Sequence, residues 1–334
     1  MNIDSMMVGT FNGAISVSRA GMTIFQKAYG FADLQNRTPN QVDTRFPTAS
    51  AGKGFVAVGI LQLIERHALS LDSRIGDILQ FDLKRIDPSI TVRQLLTHTS
   101  GIPDYFDEST MTDYDELWKE FPNYRVRTSA DLLPLFIDKP MAYPAGTRFQ
   151  YNNTGFVVLG LVIEEVTGQR FDAYLHDRVF VPIGMNDTGY FELDRLPARC
   201  ANAYIYDEDR KEYYTNIYSV DAKGTGAGGA FTTVLDMERF WKSLLGGRLL
   251  SEAMTQEMTS RQIPGDSLEE GSYGYGVWID QKDGRSPVLH LEGCDPGVSF
   301  YSSCDTETDL LITLVSNLGS DVWKLYERIR TVFL

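Results

Sequence analysis

One stretch of the sequence decides the fold: PTASAGKGFVAVGILQLIER, residues 47–66. Its segment Ala51–Arg66 has the length of a helix and is apolar on nearly all sides, so the helix must be buried between other layers of the structure. Gly52, Gly54 and Gly59 lie inside it, and each glycine costs a helix about 1 kcal/mol relative to alanine. We therefore expect other elements to approach the backbone of this helix closely, as they would beside a functional site.

Ser50 and Lys53 are three positions apart, which places both side chains on one face of the helix, one turn apart. At a helix start, free backbone N–H groups and the helix dipole stabilise developing negative charge. Lys53 could accept the Ser50 proton only when neutral, and an unshifted lysine is neutral in about one molecule in 2500 at pH 7. Burial among apolar residues lowers the pKa of a lysine. The pair therefore predicts a nucleophilic serine activated by a lysine, although one such spacing is expected by chance in a chain of this length.

Strand patterns occur at both ends of the chain. A hairpin is predicted over Ala14–Ser18 and Met22–Tyr29. The later patterns predict the strands Gly274–Asp280, Pro287–Leu291, Gly297–Ser302 and Leu310–Ser316, followed by an amphipathic helix from Ser320. Because isolated hairpins are marginal in water, the two terminal blocks are expected to pair into one antiparallel sheet.

Helical patterns fill the middle of the chain, at Thr91–His98, Ser129–Ile137, Thr154–Val166, Phe171–Phe180 and Thr233–Leu245. The predicted fold class is therefore α/β plus all-α. Residues 1–66 and 268–334 are expected to form the sheet domain. Residues 67–267 would form a helical insertion domain, with the active site between the two.

The whole chain has 334 residues, with 31 Lys and Arg against 45 Asp and Glu, so its formal net charge is −14. This balance argues against nucleic acid and anionic membranes as partners, because both require a basic surface. No apolar stretch approaches the roughly 20 residues that span a bilayer. The odd set Cys200, Cys294 and Cys304 favours reduced thiols. With no secretory signal recognisable at the start of the sequence, a cytoplasmic location is expected.

Two further motifs carry residues suited to catalysis. Tyr151 and Asn153 precede the apolar segment Thr154–Val166, where a phenol can relay protons and an amide can fix a substrate carbonyl. Tyr214-Thr215-Asn216 has the same spacing without that setting, so the spacing alone discriminates nothing. The last motif is Leu291-Glu292-Gly293 on a predicted strand, where a glycine lets a ligand lie close to the backbone.

Other interpretations of the same residues are weaker. His290, Glu292 and Cys294 alternate along the strand as ligands of a metal could. An ordinary strand lining a cleft is preferred, so neither a metal nor a cofactor is expected. Cys294 with His290 as its base would lie too close together on one strand for easy contact. His98 is interpreted as a loop residue, and the glycines of 224–229 as flexibility beside a cleft, since no phosphate-binding motif follows them.

In their order, Ser50-x-x-Lys53, Tyr151-x-Asn153 and Leu291-Glu292-Gly293 resemble the motifs of the serine β-lactamase and penicillin-binding-protein superfamily. The nearest branch is that of class C β-lactamases, DD-carboxypeptidases and related esterases. The resemblance extends over almost the whole chain, through the segments 11–14, 30–33, 43–46, 95–102 and 226–229. It implies a β-lactamase/transpeptidase-like fold, an antiparallel sheet flanked by N- and C-terminal helices with an inserted helical domain.

The resemblance also implies a role for each motif residue. Ser50 matches the acylating nucleophile, Lys53 its activating partner, Tyr151 the proton relay and Asn153 the ligand of a substrate amide. The backbone N–H groups of Ser50 and Cys294 would form the oxyanion hole. The implied reaction is acyl transfer through an acyl-Ser50 intermediate, on an ester, an amide or a D-amino-acid peptide. A penicillin-binding-like sensor or scaffold is the alternative.

The third motif departs from the family pattern. The family commonly has Lys or His and then Thr where this chain has Leu291 and Glu292. A cationic partner for a substrate carboxylate is therefore missing, and Glu292 would repel one. We expect inefficient β-lactam hydrolysis and a preference for a neutral ester, or for an amide with an ammonium group that Glu292 could pair with. Hydrolysis and transfer to another acceptor both stay open, as does the oligomeric state.

Overall fold

The computed structural model of the protein describes residues 3, 11–111, 114–264, 271–280 and 286–333. Its strands, in chain order, are β1 (Gly13–Arg19), β2 (Met22–Tyr29), β3 (Phe31–Asp33), β4 (Thr38–Pro39), β5 (Phe46–Pro47), β6 (Tyr204–Asp207), β7 (Glu212–Thr215), β8 (Phe231–Thr232), β9 (Ile263–Pro264), β10 (Gly271–Tyr273), β11 (Trp278–Asp280), β12 (Val288–Asp295), β13 (Val298–Asp305) and β14 (Leu310–Ser316).

Its α-helices are α1 (Lys53–Glu65), α2 (Ile75–Ile78), α3 (Val92–Leu96), α4 (Glu116–Glu120), α5 (Asn153–Thr167), α6 (Phe171–Leu175), α7 (Val234–Leu245), α8 (Glu252–Met258) and α9 (Val322–Phe333). Single turns of 3-10 helix cover Ala49–Gly52, Asn123–Arg125, Val181–Ile183, Leu193–Arg195 and Asn216–Tyr218. The predicted helix Ser129–Ile137 is a 3-10 helix, Ser129–Leu135, with Pro134 inside it. A π-helical turn, His176–Phe180, continues α6.

The central element is an eight-stranded sheet in the order β2-β1-β14-β13-β12-β11-β10-β9. All its described pairings are antiparallel, and β1 pairs with β14 from Gly13 opposite Ser316 to Arg19 opposite Leu310. The β1–β2 hairpin turns at Ala20 and Gly21, which both have positive φ, as a two-residue hairpin turn requires. The prediction that strands from the two ends of the chain share one antiparallel sheet is therefore confirmed.

Two helical layers cover the sheet. On one face, α9 buries Val322, Leu325 and Ile329 in a cluster with Ile15 of β1 and Leu314 of β14. On the other face, α7 packs against the sheet, and Trp241 Nε1 donates a hydrogen bond of 2.9 Å to Ser302 Oγ.

The buried helix α1 is approached as closely as its glycines predict. A Cβ at Gly54 would lie 2.7 Å from a methyl of Leu291, and one at Gly59 would lie 2.6 Å from a methyl of Leu175. Side chains of β12 and α6 thus rest directly on the helix backbone, which explains glycine at positions where it weakens a helix.

The structure differs from the predicted elements at two places. Only the last part of the predicted strand Gly274–Asp280 is a strand, β11, which begins at Trp278. Its first part is a turn that follows β10, in which Gly274 N–H bonds to Val277 O. The positive φ of Gly276 closes this turn. The region expected to be helical also contains the hairpin β6–β7, whose Tyr204–Asp207 and Glu212–Thr215 segments pair in register.

The domain boundaries stay a prediction. Helix α7 and strand β9 belong to the segment 67–267, yet both join the layers of the sheet. The implied N-terminal helix would precede Gly13, where the structure describes only Ile3, Phe11 and Asn12. Among the described helices, none combines the length and the apolar character needed to cross a membrane.

Candidate active site

Ser50 lies on a tight turn that leads into α1. This 3-10 turn, Ala49–Gly52, follows β5, and Ala49 has a φ of +46°, which is unfavourable for a residue with a Cβ. Strand β12 lies directly against the turn, because a Cβ at Gly293 would come within 2.6 Å of Ser50 N and 2.4 Å of Thr48 O. Only glycine permits this approach, and it places the Ser50 N–H beside the end of β12.

Lys53 is buried beneath Ser50, with a 2% exposed side chain. Its Nζ lies 2.8 Å from Ser50 Oγ, 2.8 Å from Asn153 Oδ1 and 2.7 Å from Ala227 O. Burial lowers the pKa of Lys53 to about 8, against the opposing charges of Glu108, Asp104 and Asp295. At pH 7 such a lysine is neutral in roughly one molecule in ten, a large gain over an unshifted amine.

Ala227 belongs to the glycine-rich segment 224–229, which packs on the nucleophile turn through a hydrogen bond of 3.0 Å from Gly229 N to Ala49 O. This close packing positions the Ala227 carbonyl that accepts a hydrogen bond from Lys53, while the flexibility expected of the segment stays a prediction.

Tyr151 completes the group around Ser50. Its hydroxyl lies within interacting range of Ser50, and burial raises its pKa well above the usual value, so the phenol keeps its proton. Lys53 Nζ lies 4.9 Å from the centre of the Tyr151 ring. On its outer side the ring stacks on Trp278, with centroids 6.0 Å apart and planes at 12°.

His98 supports Tyr151 and was not singled out by the sequence as part of the site. It follows α3 with a φ of +56°, which agrees with the predicted loop, but it is fully buried, 4.4 Å from the Tyr151 ring centre. Burial, followed by the charge of Lys53, lowers the pKa of His98 well below its usual value. Its Nδ1 accepts a hydrogen bond of 3.0 Å from Asn152 N. A neutral imidazole thus fixes the segment that carries Tyr151.

Asn153 begins α5, and both ends of its amide are engaged. Its Oδ1 accepts from Lys53, while Nδ2 donates to Glu108 Oε1 at 3.0 Å. Asp104 caps the helix, accepting hydrogen bonds from Asn153 N at 2.7 Å and Thr154 N at 3.0 Å. Burial raises the pKa of this capping carboxyl to about 6. The amide is therefore held in one orientation at the edge of the site.

The third motif lies on β12, and its side chains do not face a substrate as expected. Leu291 is 3% exposed and packs on Gly54, away from solvent. Glu292 lies on the opposite face, where its Oε2 accepts a hydrogen bond of 2.5 Å from Trp323 Nε1 in α9. The expectation that the Glu292 carboxylate meets substrate is not supported by this placement. Gly293 is the member of the motif that contacts the nucleophile turn.

Cys294 and His290 do not form a nucleophilic pair. Burial raises the pKa of the Cys294 thiol to about 11, which keeps it protonated. His290 lies between Asp280 and Glu292, with its Nε2 3.4 Å from Asp280 Oδ2 and its Nδ1 3.8 Å from Glu292 Oε2. No cluster of His, Cys, Asp and Glu within the described part of the chain is spaced to hold a metal ion.

A cavity of about 580 Å³ opens beside Ser50 and Asn153. Its described lining includes four carboxylic residues, which are Glu108, Asp115, Asp221 and Asp295. The sequence analysis missed all four as site residues. Asp295 lies two residues after the third motif and could have been found from it. Glu108, Asp115 and Asp221 come from segments that no sequence pattern connects to Ser50.

Several known proteins resemble this chain. A solved penicillin-binding protein from Bacillus halodurans is 38% identical, with a TM-score of 0.94, and the match covers 99% of this chain and 100% of that one. A penicillin-binding protein of Bacillus subtilis (strain 168) is 25% identical over 306 residues, 86% of this chain and 64% of that protein. An esterase of Burkholderia gladioli is 32% identical over 205 residues, 58% of this chain and 50% of the esterase.

The names of these relatives agree with the predicted serine hydrolase, and the fold of the Bacillus halodurans protein confirms the predicted fold class. The chain spans 64% and 50% of the lengths of the two curated relatives. A family model described as Beta-lactamase matches residues 3–332, which covers every motif discussed above. The resemblance predicted from the sequence is thereby confirmed, and the protein belongs to the Beta-lactamase family.

Proposed function

We propose that the protein is a serine hydrolase that acts through an acyl-Ser50 intermediate on a neutral or cationic ester or amide. The observation that carries this proposal is the 2.8 Å contact between Lys53 Nζ and Ser50 Oγ in a buried setting. Neutral Lys53 accepts the Ser50 proton as Oγ attacks the substrate carbonyl carbon. The N–H groups of Ser50 and Cys294 stabilise the negative charge on the carbonyl oxygen.

The proton that Lys53 takes from Ser50 passes by way of the Tyr151 hydroxyl to the leaving group. The bond between the carbonyl carbon and the leaving group then breaks, the acyl group stays on Ser50, and Lys53 and Tyr151 are back in their starting protonation states. A water molecule, or another acceptor, loses a proton to Lys53 as it attacks this ester; the bond to Ser50 Oγ breaks, and the proton returns to Oγ to give the free serine. Because burial keeps the Tyr151 phenol protonated, it is suited to donate a proton rather than to act as a resting anion. Asn153, held between Lys53 and Glu108, lies at the edge of the same cavity and is positioned to bind a substrate amide.

The charge of the cavity supports a substrate that is not an anion. Lys53 is committed to Ser50, Asn153 and Ala227, and no Lys, Arg or His is found among the described residues that line the cavity. A substrate carboxylate would therefore meet carboxyl groups without a cation to offset them. The substrate is a small molecule or a short peptide, a size that suits a cavity of about 580 Å³. The cytoplasmic location stays a prediction from the sequence.

Mass spectrometry of the intact protein after treatment with a fluorophosphonate tests the nucleophile. We expect one adduct on Ser50 in the wild-type protein and in the Ser89→Ala variant, which loses an exposed hydroxyl, and none in Ser50→Ala. Labelling of Ser50→Ala at another residue would contradict the proposed nucleophile. No adduct on any variant would favour the sensor or scaffold interpretation.

A further inference from the structure

The cavity beside Ser50 carries more carboxyl groups than the proposed chemistry uses. Of its four carboxylic residues, Glu108 accepts a hydrogen bond from Asn153 Nδ2. Asp221 and Asp295 line the same cavity, and neither takes part in the acyl transfer proposed above. Burying a carboxylate destabilises a protein unless a cation or several hydrogen-bond donors lie next to it. Asp221 and Asp295 are therefore suited to bind a cation.

Asp221 is the more informative of the two. Its Oδ1 is buried and accepts no hydrogen bond from any residue the structure describes, while the Tyr114 hydroxyl lies near the same carboxyl group. Burial, and then the charge of Asp295, raises the pKa of Asp221 to about 8. Burial likewise raises the pKa of Asp295 to about 7, with Lys53 opposing the change. A bound cation would relieve the repulsion between these two carboxyl groups.

Aromatic rings form another part of the same wall. Phe106 and Tyr114 meet edge to face with centroids 4.6 Å apart, and the hydroxyls of Tyr105 and Tyr114 are 3.4 Å apart. All three rings line the cavity. Aromatic rings beside carboxylates favour an organic ammonium group over a hydrated metal ion, because aromatic rings attract organic ammonium groups through their π electrons.

We propose that Asp221 and Asp295 form an ammonium-binding subsite of the active-site cavity, so that the substrates are amides or esters whose acyl part carries a positively charged amine. The proposal rests on the proposed function of Ser50, since it names the substrate class of the same site. It also replaces Glu292, the partner expected from the sequence, because that carboxylate binds Trp323 on the other face of β12.

The position of Asp295 assigns the ammonium group to the acyl part of the substrate. Asp295 directly follows Cys294, whose N–H is proposed to bind the carbonyl oxygen, and consecutive Cα atoms are about 3.8 Å apart. An amine held by Asp295 would therefore lie within a few bonds of the carbonyl carbon that Ser50 attacks. An α-amino amide or ester satisfies this distance.

Three p-nitroanilides that differ in one group test the subsite: those of alanine, isobutyric acid and methylmalonic acid. At the α carbon these carry an ammonium group, a methyl group and a carboxylate, with nearly the same shape. We expect kcat/KM to be highest for alanine p-nitroanilide, in at least one enantiomer, by about 30-fold over the isobutyryl compound. The methylmalonyl compound should be the poorest substrate.

Asp295→Asn and Asp221→Asn should each lower kcat/KM for the alanine compound by about 10-fold or more, while the isobutyryl compound changes less than about 3-fold. Glu292→Gln removes the same charge from the other face of β12 and serves as the matched comparison. A cationic preference lost in Glu292→Gln and kept in both Asp variants would overturn the proposal. A wild-type preference for the isobutyryl or methylmalonyl compound would also overturn it, without any variant having to fold.

Fluorophosphonate labelling of every variant separates this proposal from the proposed function. Labelled Ser50 without a cationic preference means that the ammonium subsite is wrong and the acyl-enzyme chemistry stands. Unlabelled wild-type protein means that the nucleophile itself is wrong.

Discussion

The two faces of strand β12 carry neighbouring residues of the third motif but make different contacts. On the face toward α1 and the nucleophile turn, Leu291 rests on Gly54, and Gly293 lies against Ser50 and Thr48 with no room for a Cβ. On the face toward α9, Glu292 accepts a hydrogen bond from Trp323, and the His290 ring stacks on Tyr301. Residues adjacent in sequence thus face separate environments. The face toward the nucleophile turn has no room for a larger side chain at Gly293.

Loss of the lysine amine should have the largest effect on the catalytic face. Lys53→Ala removes the base next to Ser50, and we expect kcat/KM to fall by about 10³-fold, within the range of general-base contributions. Steady-state rates on a neutral p-nitrophenyl ester measure the loss. Lys242→Ala, an exposed lysine on α7, should keep the wild-type rate. An unchanged rate in Lys53→Ala would exclude Lys53 as the base.

A single methyl group on the same face should cost somewhat less. Gly293→Ala places a Cβ within 2.6 Å of Ser50 N, so the nucleophile turn or the end of β12 must move. A displacement of about 1 Å at a catalytic group costs roughly 100-fold in rate, and we expect a loss of that size. Comparing kcat/KM with the melting temperature shows whether the site is displaced or the fold is lost. A rate within about 3-fold of wild type would show that catalysis does not depend on the close contact between Gly293 and the nucleophile turn.

The pH profile should follow the charge on Lys53. The active form has a neutral amine, so kcat/KM should rise with pH to a plateau, with a midpoint near the Lys53 pKa of about 8. The negative charge of Glu108 raises this pKa, so Glu108→Gln should move the midpoint to lower pH. Rates from pH 6 to 10 check both statements. A midpoint that moves to higher pH in Glu108→Gln would contradict the assignment of Lys53 as the titrating base.

The smallest effect on activity is expected at Glu292. Glu292→Gln weakens the hydrogen bond from Trp323, so the free energy of unfolding should fall by about 1–2 kcal/mol. Rates on neutral substrates should stay within about 3-fold of wild type, because the carboxylate faces α9 rather than the cavity. Denaturant unfolding and the ester assay together test this. A large rate loss with unchanged stability would place Glu292 back in the site.

Much of this arrangement could be predicted from the sequence, because local patterns determine it. The all-apolar helix with internal glycines predicted burial and close approach, and both are found around α1. The spacing of Ser50 and Lys53 predicted their contact, since a turn of helix brings such positions together. The alternation in β12 separated Glu292 from Gly293 but did not reveal which face met the nucleophile, since that depends on how distant helices pack.

The remainder depends on contacts between segments far apart in the chain. Glu108 and Asp221 line one cavity with Asp295 although they are far apart in the chain, and no short sequence motif predicts this. The hairpin β6–β7 was missed because its strands, Tyr204–Asp207 and Glu212–Thr215, are short and joined by a charged turn that did not stand out within a helical region. His98 was interpreted from its loop setting, and its burial against Tyr151 is a tertiary property.

The left-handed conformation of Ala49 has a consequence for how stability is distributed in the molecule. A residue with a Cβ in that region of backbone space disfavours the folded state by about 1–3 kcal/mol, and neighbouring contacts must hold it there. Here those contacts include the hydrogen bond from Gly229 N to Ala49 O. The Ser50 hydroxyl therefore lies next to a strained residue of the backbone. Ala49→Gly would relieve this strain, so the free energy of unfolding should rise while the orientation of the Ser50 side chain becomes less well defined.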